Sequence, residues 1–99
     1  MFSRSDGWLL TTLWAIDGPG DRKKLNDYGD IFNHAIFNDD EIEEGMNRLA
    51  VAGLAHPTDG QTFQCTDKGK AFVLAHWDSS LGHIANMFRV IEALTEELG

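Results

Sequence analysis

Apolar residues recur along this chain at two spacings, a helical one over most of its length and an alternating one over a short central stretch. A first helix is predicted from about Asp6 to Asp17, with Trp8, Leu9, Leu13, Trp14 and Ile16 forming a broad apolar face. Ser5 or Asp6 can cap it by accepting a hydrogen bond from a free first-turn amide. Gly18-Pro19-Gly20 ends it, because proline has no N–H to donate and glycine turns freely. Asp21 caps a second helix over Arg22 to Asn33, with Leu25, Tyr28, Ile31 and Phe32 inward. Gly29 within it costs up to about 1 kcal/mol relative to alanine. His34-Ala35-Ile36-Phe37 reads as an extended link in which a small strand can form. A third helix starts at Asn38 or Asp39, where Asn38 and Glu41 have capping-box spacing. Its stripe is Ile42, Met46, Leu49, Ala50 and Gly53, and Gly53 can end it. Leu54-Ala55-His56 and Thr62-Phe63-Gln64-Cys65 then read as two strands around the tight-turn pair Asp59-Gly60. Thr66 caps a fourth helix carrying Ala71, Phe72, Leu74 and Ala75. After a break at Asp78-Ser79-Ser80 and Gly82, a fifth helix runs to about Leu98 with Ile84, Met87, Phe88, Ile91, Leu94 and Leu98 aligned. The predicted class is mainly α with a small β-hairpin.

Composition narrows the setting. Ninety-nine residues make one folding unit, and 42% hydrophobic content with 3 Trp and 6 Phe can fill a core. The formal net charge of -8 repels a polyanion at long range unless a local basic patch overrides it. A single cysteine, Cys65, excludes an internal disulfide framework and suits a reducing cytoplasm, which is the expected compartment. The opening MFSRSDGWLL does not read as a signal peptide, and no apolar run reaches the length of a membrane span.

The segment from Glu41 through Gly69 resembles the end of PadR/MarR-type winged helix-turn-helix domains. The matching residues are Glu44, Met46, Leu49, Ala52-Gly53-Leu54 and Thr66-Asp67-Lys68-Gly69. Gly29-Asp30-Ile31-Phe32-Asn33-His34-Ala35-Ile36 is similar to a segment of small bacterial winged-helix proteins. The resemblance implies a winged-helix domain over residues 1–77, with residues 78–99 as an added C-terminal helix for packing or dimerisation. It also implies DNA binding as a dimer through the third helix and the hairpin wing.

The residues pull against that function. The third helix carries Asp39, Asp40, Glu41, Glu43 and Glu44 against one arginine. First-turn carboxylates favour the helix dipole by about 0.3–1 kcal/mol each, and Glu44 is spaced to pair with Arg48. Off the apolar stripe lie Asp40, Glu43, Glu44, Asn47, Arg48 and Val51, of which only Asn47 and Arg48 suit base-edge readout. No Lys or Arg lies between Arg48 and Lys68, so the wing has no cation for phosphate. Arg22, Lys23 and Lys24 open the second helix, either as phosphate contacts or as a solvated turn with Lys23 paired to Asp27. The leading expectation is a non-enzymatic interaction module whose acidic third helix and wing meet a basic protein partner or mimic nucleic-acid charge. The alternative is a transcriptional regulator of PadR/MarR type.

Other chemistry has little to stand on. His76, Asp78 and His83 do not make a full zinc ligand set, and neither a metal nor another cofactor is expected. Cys65 reads as a small buried hydrophobe, not a nucleophile. No acid–base pair can be placed, so no enzyme is expected. The fifth helix either packs back on the first or pairs with a second copy through Ile84, Met87, Phe88, Ile91, Leu94 and Leu98.

Overall fold

A computed structural model describes residues 1–98. The elements in chain order are α1 (Arg4–Ile16), α2 (Arg22–Asn33), α3 (Asp39–Val51), β1 (Ala55–Thr58), β2 (Thr62–Cys65), α4 (Asp67–His76) and α5 (His83–Ala93). A π-helical turn, Leu94–Leu98, extends α5. The fold is mainly α with a two-stranded antiparallel wing, in the order read from the sequence.

Helix α1 is the axis of the molecule. It is buried from Asp6 to Leu13 and packs against α2, α3, α4, α5 and β2. A helix covered on every side must satisfy its polar groups internally, and Thr11 and Thr12 do so by donating to the carbonyls of Gly7 and Trp8, each at 2.7 Å. The helix starts two residues earlier than predicted, after Ser3. Asp6 is therefore no cap. It lies one turn inside, and its carboxylate accepts the Ser3 N–H and hydroxyl.

In α2 the buried residues are Leu25, Gly29 and Phe32. Tyr28 and Ile31, expected inward, are 36% and 51% exposed. Gly29 explains the shift. A Cβ there would lie 2.6 Å from the Phe37 ring, and its carbonyl accepts the Trp8 indole N–H at 2.9 Å. Trp8 and Phe37 stack with centroids 3.6 Å apart, a contact of about 0.5–1.5 kcal/mol beyond burial. The loss of helix propensity at Gly29 admits this aromatic pair, and α2 turns its glycine face inward.

The link His34–Phe37 forms no strand. Its place is taken by Gly20, whose N–H and carbonyl bond to the carbonyl and N–H of Phe63 on the outer edge of β2. The wing pairs Ala55 with Cys65 through Thr58 with Thr62, and its three-residue turn places Gly60 and Gln61 at positive φ. In α4 the core residue is Val73, while Leu74 is 58% exposed and Ala71 and Ala75 face outward, a correction to the predicted face.

The C-terminal helix shares the core of α1. Met87, Val90 and Leu94 are 1%, 0% and 0% exposed and belong to the same cluster as Trp8 and Leu13. The contact is close: a Cβ on Gly7 would lie 2.8 Å from Ile91 Cα. Buried Asn86 fixes the turn before α5, accepting the Asp78 N–H at 2.7 Å and donating to the carbonyls of Asp78, Leu81 and Gly82.

Candidate interaction face

Helix α3 begins with the capping box expected of it: Asn38 accepts the Glu41 N–H at 2.8 Å, and Glu41 accepts the Asn38 N–H at 2.9 Å. Ile42, Gly45, Met46 and Leu49 face the core, and Ala50, expected on that stripe, is exposed. Gly45 in its place lets α3 approach α1, since a Cβ there would sit 3.0 Å from both Asp6 Oδ1 and Leu9 Cδ2. The helix ends at Val51 and Gly53 takes φ +76°, the left-handed geometry that glycine supplies without steric cost.

The main correction concerns Arg48. The expected partner, Glu44, is not the residue it bonds. Its Nε donates to Asp6 Oδ2 at 2.6 Å and its terminal nitrogen to Asp6 Oδ1 at 3.0 Å, a two-point grip. Asp6 is fully buried, and the Arg48 side chain is 32% exposed. The hydrogen bonds to Asp6 raise the guanidinium above its already high ordinary value. Physically, a buried carboxylate one turn into α1 needs a cation, and Gly45 brings α3 close enough to supply one. Arg48 is thus a strut between two helices, its guanidinium committed to Asp6.

The other α3 site residues lie outside. Asp40, Glu43, Glu44 and Asn47 are exposed, and none of the three acids has an ion-pair partner among the described residues. Glu43, Glu44, Met46, Asn47, Ala50, Pro57 and Phe63 line a groove between α3 and the wing. Toward the wing tip it continues past Ile42 and Gln61 to Asp21, Arg22 and Lys23 at the start of α2.

The cations of α2 are mostly engaged. Arg22 pairs with Asp39 at the start of α3, and Lys23 donates to Asp27 at 2.7 Å. The Lys23–Asp27 hydrogen bond raises the lysine pKa. Lys24 is exposed and forms no ion pair among the described residues. Farther round, Lys70 meets Asp17 at 3.1 Å and Lys68 donates to the Ala52 carbonyl at 2.9 Å.

The α5 residues singled out as dimer contacts separate into two sets. Met87 and Leu94 lie inside the chain's own core, because the apolar stripe of α5 is covered by α1. Ile84 and Leu98 are 42% and 44% exposed, and Phe88 and Ile91 are half-buried, Phe88 beneath the Arg4 guanidinium.

Among the described residues no group of three His, Cys, Asp or Glu is placed to hold a metal. His76 meets Glu97 at 2.9 Å, and Asp78 accepts from Ser80, which lowers its pKa. Cys65 is buried, and desolvation pushes its thiol from 9.0 up to about 11. No helix among the described residues is long and apolar enough to cross a membrane. No family model, curated protein or solved structure matches this chain.

Proposed function

We propose that this chain is a non-enzymatic protein-interaction module on a winged-helix scaffold, with the outer face of α3 and the wing meeting a basic protein partner. One observation carries the reading: Arg48, the sole arginine of α3, is turned inward onto Asp6, while Asp40, Glu43 and Glu44 stand outside without a counter-ion among the described residues. Carboxylates without an ion-pair partner attract a basic partner and repel DNA, and the net charge of -8 adds to both effects. The wing supplies no lysine or arginine between Arg48 and Lys68, so counterion release from phosphates has no source there. Homodimerisation through Ile84 and Leu98 belongs to the same reading, and an unchanged mass of Ile84→Glu by light scattering would reject Ile84 as its contact.

The test is a titration of labelled nonspecific duplex with the full chain at low salt. The expected result is no binding up to roughly 100 μM, the weak end of nonspecific affinity. Binding that falls steeply with salt and disappears in Lys23→Glu/Lys24→Glu would overturn the reading in favour of a PadR/MarR-type regulator.

A further inference from the structure

We propose that the groove between α3 and the wing is the docking site for a Lys/Arg-rich segment of a partner protein that inserts one large apolar side chain. The proposal rests on the interaction-module reading and adds where the partner sits and what it must carry. Met46, Ala50, Pro57 and Phe63 form the apolar part of the groove, and Glu43 and Glu44 are its charged part. Ala50 is small and exposed at a position where the helical spacing would otherwise place core, so the groove is open at its middle. Arg48, one turn along α3 from Glu44, is bonded to Asp6, and Arg22 and Lys23, which line the groove's continuation beside Glu43, are paired with Asp39 and Asp27. Charge complementarity therefore selects a basic occupant, and the apolar floor rewards an anchoring side chain.

The wing also limits how the segment binds. Phe63 gives its N–H and carbonyl to Gly20, so the outer edge of β2 is already occupied at that residue. Its partner across the hairpin, Pro57, then faces the free edge of β1, where it has no N–H to offer an added strand. Recognition runs through side chains in the groove and not through strand addition.

The experiment selects binders to the full chain from a random peptide display library, with no selection against charge variants, and measures the winners on the parent and on Glu43→Lys/Glu44→Lys by fluorescence anisotropy. Selected peptides are expected to combine several Lys or Arg with one large apolar residue. Charge reversal should weaken them about tenfold or more. Ala50→Trp, which fills the groove without changing charge, and truncation of the peptide's apolar residue to alanine should each weaken binding about tenfold. The peptide truncation decides the matter even if Ala50→Trp folds poorly. No winners, or winners indifferent to charge reversal, would overturn both the groove and the acidic-face reading. Winners lost on charge reversal but indifferent to Ala50→Trp and to the truncated anchor would overturn the groove alone.

Discussion

The two ends of α3 each carry an ion pair, in opposite surroundings. At the first turn Asp39 meets Arg22, with side chains 75% and 55% exposed. Near the last turn Arg48 meets Asp6, which is fully buried. The chemistry is the same, yet the consequences differ. The exposed pair is screened by water and salt and contributes between 0 and about 1 kcal/mol. The buried one cannot be opened without stranding a carboxylate in the core, so it holds α3 at a set distance and orientation on α1. The inner side of α3 is thus organised for structure, and the outer side keeps acids that structure does not use. That division, more than the overall charge, supports a contact surface.

Removing the buried partner is the strongest way to break the comparison. Asp6→Ala should lower the free energy of unfolding by about 3 kcal/mol, read by urea denaturation, because Arg48 loses its bonded carboxylate and Ser3 its acceptor. A double-mutant cycle on Asp6 and Arg48 should return a coupling well above that of Arg22 and Asp39, and equal couplings would erase the distinction. Gly45→Val, which forces bulk between α3 and α1, should cost about 2 kcal/mol by the same measurement.

The wing offers a test by pH. Cys65 has a folded pKa above its ordinary one, so the native state keeps the thiol proton longer than the unfolded chain does. Its contribution is complete below pH 9.0 and is lost as pH rises toward about 11. Stability should fall over that window by roughly 2 kcal/mol more in the parent than in Cys65→Ala, and equal slopes would show the thiol to be solvated. Arg22→Ala should change stability by less than about 1 kcal/mol. Smallest of all, Glu43→Lys/Glu44→Lys should leave the melting temperature almost unmoved, and a clear drop would mean these acids serve the fold after all.

Local chemistry was readable where a residue acts on its own neighbours. The Asn38–Glu41 box, the Thr66 cap and the Lys23–Asp27 pair all join residues within one turn, and each is present where the sequence places it. The errors came where a distant element decides. Asp6 and Arg48 lie 42 residues apart, and nothing in the spacing of either names the other. Gly29 in α2 and Gly45 in α3 were the available signal, for a helix that gives up propensity on its inner face marks a close approach.

Five helices, the caps of α2, α3 and α4, a hairpin after the third and an acid-rich α3 follow from the sequence alone, because periodicity and capping are local and charge is additive. Which side of each helix is buried, which cations remain available and whether α5 covers its own chain were decided by the tertiary structure. The physical reason is that burial is shared among elements: α1 is covered all round, and the helices around it must turn toward it whatever residues then satisfy Asp6, Trp8 and Gly7.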